Sequence, residues 1–435
     1  MKITIAPSAI YGTVTARPSK SSMQRACAAA LIKSGKSLIK NYGRSDDDEV
    51  ALSIIQQLGA RIEWSENTLS IDSSLFNSSE HIALIKDDPA IISCGESGLS
   101  TRMFVPLCAL SNQKVFIKGE GSLLHRPMNF FSEVLPQLGV EIFMDNGKLP
   151  MTIQGALIPK NITIDGSVSS QFLTGLLMAY SAVSNPYEQV SIKVKDLKSK
   201  PYIDLTLDVM RHFALNVPEN KNYEEFIFYK APTSTFHNTT TYTVEGDWSG
   251  SAFLLVAGAI AGNVTVEGLR LDSAQADKRI LEALQDAGVS MSIGDNFIEV
   301  RASPLKSFTF DATDCPDLFP PLVALAAYCN GVSAIQGLER LKHKESNRGI
   351  TLQEEFNKMG LKTELRDDVM LIYGSGILNG AFVHSRHDHR IAMSTAVAAL
   401  KANGTTTIDA TQAVNKSYPD FFKHLNALNA TVSVT

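Results

Sequence analysis

Two kinds of helical stretch alternate along this chain, one apolar on almost every side and one amphipathic, and short alternating strands separate them. Each amphipathic stretch closes on a small or left-handed-tolerant residue, after which a strand begins. The closures are Leu58-Gly59-Ala60, Leu138-Gly139-Val140, Phe213-Ala214-Leu215, Ala287-Gly288-Val289, Met359-Gly360-Leu361 and Leu428-Asn429-Ala430. Glycine, or asparagine, is what a helix end in the left-handed region requires, because a Cβ is crowded there. The marks at 59, 139, 214, 288, 360 and 429 stand 80, 75, 74, 72 and 69 residues apart, the beat of a repeat. A second mark keeps the same time. A polar loop opens each apolar helix, at Ser19 to Arg25, Gly95 to Gly98, Ser167 to Gln171, Gly246 to Ser251, Cys315 to Asp317 and Arg386 to Arg390.

A helix that is apolar all round belongs inside a layer, so the pattern predicts an α+β protein with sheets outside and apolar helices between them. Six units divide into two domains of three. The boundary is expected in Thr239 to Thr243, after the loop Lys230 to Asn238, giving a first domain of residues 17–240 and a second of 1–16 with 241–435. The leading strand Lys2 to Ala6 lies outside the first three units and is expected to pair with the second half.

Composition narrows the function. The 435 residues are 44% hydrophobic and carry a net charge of −5, which argues against a nucleic-acid partner and makes any anion site local. Five cysteines, Cys27, Cys94, Cys108, Cys315 and Cys329, are scattered with no C-x-x-C, so they read as buried thiols in a reducing compartment. No His, Cys and carboxylate spacing suits a metal, and no glycine-rich phosphate loop follows a strand, so neither metal nor cofactor is expected. The longest uncharged runs, such as Phe172 to Val183, fall short of the roughly 20 apolar residues of a membrane span. The opening residues read as a strand without a secretory apolar region, and the expectation is a cytoplasmic protein.

The candidate chemistry is cationic. Pro18-Ser19-Lys20-Ser21-Ser22-Met23-Gln24-Arg25 sets two cations and several hydroxyls where a loop becomes a helix, and a helix start favours phosphate or carboxylate. An ordinary capped surface helix explains that stretch equally well. Lys20, Arg25, Arg102 and Arg126 supply the first half; Lys344, Arg348, Arg390 and Lys416 supply the second. Lys344 and Arg348 at i, i+4 are expected on one helical face beside Glu345. Asp317 heads an apolar helix, where capping is the plain alternative, and Asp388-His389-Arg390 reads as a capped helix start with a structural histidine.

Taken together, Ser19-Lys20-Ser21 to Arg25, Gly98 to Arg102, Arg126-Pro127, Ser169-Ser170-Gln171, Ser199-Lys200-Pro201-Tyr202, Val244 to Asp247, Pro316-Asp317, Lys344-Glu345 to Arg348, Asp388-His389-Arg390 and Lys416 to Asp420 resemble the 5-enolpyruvylshikimate-3-phosphate synthase family. That resemblance covers the whole chain. It implies two inside-out α/β domains, each of three βαβαββ units, with the active site in the interdomain cleft; a monomer is expected, and the division of the cations between the two halves predicts that it closes on its ligands. It also implies transfer of the enolpyruvyl group of phosphoenolpyruvate to the 5-hydroxyl of shikimate 3-phosphate, through a tetrahedral adduct that releases phosphate. Carried over, Ser21, Arg25, Ser169, Ser170, Ser199 and Tyr202 hold shikimate 3-phosphate, with Gln171 against its ring. Lys20, Arg126, Lys344, Arg348, Arg390 and Lys416 hold phosphoenolpyruvate, with Gly98 beside it. Asp317 takes the hydroxyl proton, and Glu345 and Lys20 exchange protons at the methylene carbon. The chain departs from the family at Glu96-Ser97-Gly98-Leu99, where Asn-Ala-Gly-Thr is common, and at Arg340. The alternatives are an enolpyruvyltransferase for UDP-N-acetylglucosamine, whose loop cysteine or aspartate is missing from Lys118 to Arg126, and a non-catalytic anion-binding protein of the same fold.

Overall fold

The computed structural model describes residues 1–74, 76, 89–183, 187–230 and 238–434; most of the loop expected at Lys230 to Asn238 lies outside them. Two compact units emerge. Lys20–Val244 forms the first, and Met1–Ser19 with Glu245–Thr435 forms the second. The division falls a few residues beyond the expected 16/17 and 240/241. Thr240–Thr243 pairs in parallel with Lys36–Lys40, which ties it to the first unit, while Ser19 N donates to Glu245 O at 2.8 Å inside the second.

The first unit contains α1 (Lys20–Ile32), α2 (Asp46–Gln57), α3 (Gly98–Cys108), α4 (Asn129–Val134), α5 (Ser170–Ala182) and α6 (Lys200–His212). The second contains α7 (Trp248–Ala261), α8 (Ile280–Asp286), α9 (Phe319–Ala327), α10 (Arg348–Lys358), α11 (His389–Ala399) and α12 (Phe421–Ala427).

Among the described residues there are six four-stranded sheets with one pairing scheme. In the sheet beside α3, Ala90–Ser93 runs parallel to Val115–Lys118, with the helix as their crossover. Met151–Gln154 then pairs antiparallel with Val115–Lys118 and Glu141–Met144 closes the edge. A parallel pair needs such a crossover, and the following hairpin does not, which is why four of the six sheets have an apolar helix between their two parallel strands. Strands distant in sequence complete one sheet of the first unit and two of the second, where Ile10–Thr15 pairs in parallel with Gly262–Glu267. Thr240–Thr243 completes the sheet of Lys36–Lys40, and the leading strand Ile3–Ile5 lies between Thr406–Asp409 and Val432–Val434.

The apolar helices fill the interiors. Every residue of α9 and α11 is buried, as is α7 from Trp248 to Ile260. The amphipathic α2 buries Ala51, Leu52, Ile54 and Ile55 and leaves its other face wet. All six closing positions adopt positive φ: Gly59 93°, Gly139 85°, Ala214 54°, Gly288 80°, Gly360 89° and Asn429 68°. The periodic signal therefore marked real left-handed helix ends, including the one where alanine carries the strain. All five cysteines are buried and free. No helix among the described residues is long and apolar enough to cross a membrane.

Candidate active site

In the second unit the helix starts bring most of the expected residues into one network. Asp317 lies in a 3₁₀ turn, Pro316–Leu318, ahead of α9, and its side chain caps nothing. Its Oδ1 accepts from Lys344 Nζ at 3.2 Å and Arg348 Nη1 at 3.0 Å, and its Oδ2 accepts from Arg390 Nη2 at 3.0 Å. Arg390 Nη1 also donates to the Asp317 carbonyl at 3.2 Å. Burial by itself raises the Asp317 carboxyl, but Arg390, Lys344 and Arg348 outweigh it and hold the group well below the usual carboxylate range.

Arg348 is 1% exposed and spreads its guanidinium over three carboxylates. Besides Asp317, it donates from Nη2 to Glu345 Oε2 and from Nε to Asp388 Oδ2 at 2.9 Å. Burial works against its charge, yet Asp388, Glu345 and Asp317 raise its pKa above the ordinary arginine value. Lys344 is lowered, first by burial, with Asp317 opposing. Asp388 caps α11 through Arg390 N at 2.9 Å and also accepts from Ser346 Oγ at 3.1 Å. Lys416 donates to His387 O at 2.9 Å.

The helical face expected for Lys344 and Arg348 does not form. Lys344 to Ser346 is a bend, and α10 begins at Arg348 after Asn347. The two cations still meet, because both reach the same oxygen of Asp317 rather than because they share a helix.

In the first unit, Arg25 on α1 is 1% exposed and is met by oxygens that carry no formal charge. Nε donates to Thr206 Oγ1 at 2.9 Å, Nη1 to Ser21 O at 2.8 Å and Nη2 to Tyr202 O at 3.3 Å, and the Tyr202 ring lies 5.9 Å away. Burial lowers its pKa to about 10. A cation kept dry without a carboxylate is a site that gains from an anionic ligand. Lys20, five residues earlier, instead donates to Asp47 Oδ2 at 2.7 Å.

Gly98 opens α3, which Ser97 caps, and a Cβ there would come within 2.7 Å of Arg126 Nη1. Glycine leaves room at this helix start for that guanidinium. Gln171 Oε1 accepts from Arg102 Nη1 at 2.8 Å, and Arg102 lies 5.0 Å over the Phe172 ring. Ser169 caps α5 through Gln171 N at 3.3 Å, with Ser170 buried next to it, and Ser199 precedes α6 at φ 56°.

One group among the described residues has carboxylate and imidazole atoms close enough for a metal: Glu345, Asp388 and His389. Arg348 already occupies the Glu345 and Asp388 oxygens, so the chemistry of this donor set suits a guanidinium and not a metal ion.

The family model for EPSP synthase (3-phosphoshikimate 1-carboxyvinyltransferase) matches residues 5–425. The chain belongs to the EPSP synthase family. It is 34% identical to the 3-phosphoshikimate 1-carboxyvinyltransferase of Clostridium novyi (strain NT), over 99% of this chain and 98% of that one. Identity to the enzyme of the same name from Clostridium kluyveri is 35%, with the same coverage. Among solved structures, EPSP synthase from Acinetobacter baumannii shares the fold, with a TM-score of 0.80 and 24% identity over 100% of this chain and 99% of the other.

Three carboxylates beside candidate site residues are not marked as such by the sequence. Asp388 caps α11, as its sequence position suggests, and also holds Arg348. Asp47 follows Ser45 in an acidic run that does cap α2, and the run gives no sign that one member reaches Lys20. Asp277 is fully buried, accepts from Ser249 Oγ, and is raised to about 6 by burial and then by the charge of Asp317. Nothing in the local pattern around Asp277 marks it.

Proposed function

We propose that the chain transfers the enolpyruvyl group of phosphoenolpyruvate to the 5-hydroxyl of shikimate 3-phosphate, yielding 5-enolpyruvylshikimate 3-phosphate and phosphate. The observation that carries the reading is Asp317 with Lys344, Arg348 and Arg390 gathered on one carboxylate. Three cations around one carboxylate make an anion site that also contains a base.

Shikimate 3-phosphate is assigned to Ser21, Arg25, Ser169, Ser170, Ser199 and Tyr202, with Gln171 against its ring. Phosphoenolpyruvate is assigned to Lys20, Arg126, Lys344, Arg348, Arg390 and Lys416, with Gly98 leaving room for it. The substrate's hydroxyl oxygen forms a bond to C2 of phosphoenolpyruvate as Asp317 takes its proton, and the methylene carbon gains a proton from Glu345 or Lys20. The resulting tetrahedral adduct loses phosphate as the bond from C2 to the bridging oxygen breaks and that oxygen takes the proton held by Asp317, while the methyl carbon returns its proton to the group that gave it. General acid–base groups of this kind contribute roughly 10² to 10⁴-fold.

Support for the assignments is chemical. Arg25 is buried without a carboxylate, and Arg126 meets a helix start through a glycine. The same reading includes a cytoplasmic monomer, which light scattering checks. The test of function is phosphate release from phosphoenolpyruvate with shikimate 3-phosphate, compared with phosphoenolpyruvate and UDP-N-acetylglucosamine. Release only with the sugar nucleotide, or with neither, overturns the proposal.

A further inference from the structure

Glu96, one of the positions where the chain departs from its family's pattern, sits in the turn ahead of α3 and faces the loop that carries Arg126. Its Oε2 accepts from Ser122 N at 3.0 Å and from Ser122 Oγ at 3.2 Å. Ser122 Oγ in turn accepts from Arg126 Nη2 at 3.3 Å. A hydroxyl has one proton and two lone pairs. With the proton committed to Glu96, a lone pair is left facing the guanidinium. On the other side, Nη1 of the same guanidinium lies where a Cβ on Gly98 would come within 2.7 Å. The fork is thus bracketed between Ser122 and the first residue of α3.

Two further features serve the same contact. Gly121 has φ 53°, and a Cβ there would come within 2.4 Å of the Glu96 carboxylate, so the carboxylate is seated on a glycine. Glu120 N donates to Gly95 O at 2.7 Å, which fastens the two loops beside that seat. Asparagine, one methylene shorter, would have to draw the turn inward to reach Ser122.

We propose that Glu96 is a positioning residue that acts through Ser122 to aim the Arg126 fork, and so sets affinity for the anion that Arg126 holds. The identity of that anion, phosphoenolpyruvate, rests on the function proposed above. A carboxylate near an anion site also repels the ligand, and that effect has the opposite sign. Aiming wins if the two hydrogen bonds it orders exceed the screened repulsion, because a misdirected fork loses its bidentate contact.

The experiment compares Glu96→Ala, Glu96→Gln, Ser122→Ala and the Glu96→Ala/Ser122→Ala pair by steady-state kinetics in both substrates, with crystal structures of Glu96→Ala and wild type. Expected is a roughly tenfold rise in KM for phosphoenolpyruvate in Glu96→Ala and Ser122→Ala, about 1.4 kcal/mol. The KM for shikimate 3-phosphate should change less than about twofold, Glu96→Gln should recover most of the loss because its amide oxygen still accepts, and the pair should be no worse than Ser122→Ala. A lower KM for phosphoenolpyruvate in Glu96→Ala and Glu96→Gln would mean that the carboxylate only repels, and additive losses would mean two separate effects; either result overturns the relay. The crystal structures read it without turnover. Arg126 should leave Ser122 in Glu96→Ala, and an unmoved fork refutes the proposal. An inactive wild type would remove the functional reading alone.

Discussion

Arg348 offers the sharpest test of how the second unit is held together. The side chain is 1% exposed, and its guanidinium serves Asp317, Glu345 and Asp388, of which Asp388 is 0% exposed. Arg348→Met keeps the volume and deletes the charge. Lys344 and Arg390 remain to answer Asp317, but Asp388 keeps only Ser346 Oγ and Arg390 N. Removing one partner of a buried pair costs about 3 to 5 kcal/mol, because the other charge stays dry and uncompensated. Asp388→Asn should cost less, about 1.5 to 3 kcal/mol, since the amide keeps part of the hydrogen bonding. If the two act on one interaction, the double variant should recover about 1 to 3 kcal/mol relative to the sum. Trp248 is buried in the second unit and Trp64 is in the first, so urea denaturation in a Trp64→Phe background isolates the relevant transition. A loss below about 1 kcal/mol in Arg348→Met, or coupling below about 0.5 kcal/mol, would show that the cluster is not the electrostatic unit described.

Three further outcomes are expected. Asp277 has its pKa raised from the ordinary 3.8 to about 6, so between those values the folded state binds more protons than the unfolded and stability falls as pH rises; Asp277→Asn should therefore gain stability over wild type at about pH 7 and none at about pH 3, and an equal gain at both refutes the cause. Glu345→Gln should lower kcat by about 10² or more while substrate KM values stay within a few-fold, because the amide keeps the contact to Arg348 but exchanges no proton, and near-normal kcat ends that role. Ala214→Gly should stabilise the first unit by about 0.5 kcal/mol, since relief of a left-handed alanine, roughly 1 kcal/mol, exceeds the added backbone entropy; denaturation read at Trp64 would show a loss if the strain were not there.

The architecture was legible because its signals are local and repeated. A left-handed helix end writes itself as Gly59, Gly139, Gly288 or Gly360, and an all-round apolar run such as Ala252 to Ala261 can only be interior. The residue types of the candidate site were legible too, as cations next to helix starts. Their partners were not. Lys344 reaches Arg348 by way of Asp317, 27 residues earlier in the chain, and a spacing of four suggests a helix that begins only at Arg348. Asp388 looked like a cap because it is one, and one carboxylate can cap a helix and hold a guanidinium at once. Local pattern records the first of these roles and is blind to the second.

The arrangement around Asp317 has a consequence for the base assigned to it. A carboxyl held well below its usual range by Arg390, Lys344 and Arg348 is a poor proton acceptor as long as those cations face it. On the proposed reading the same cations hold phosphoenolpyruvate, so the ligand and Asp317 compete for one set of donors. Binding turns the cations toward the ligand, Asp317 loses their stabilisation, and its pKa moves up toward the range in which it can take a hydroxyl proton. On that reading the carboxylate holds these cations until the ligand takes them, and becomes a base when displaced. Asp317→Asn separates these roles. It removes the competitor while keeping the shape, so phosphoenolpyruvate binding, measured by calorimetry with shikimate 3-phosphate present, should be unchanged or tighter, while turnover falls by roughly 10² to 10⁴-fold. A tenfold weaker Kd in Asp317→Asn would mean that Asp317 organises the cations for the ligand instead of competing with it, and this account of the base would have to be given up.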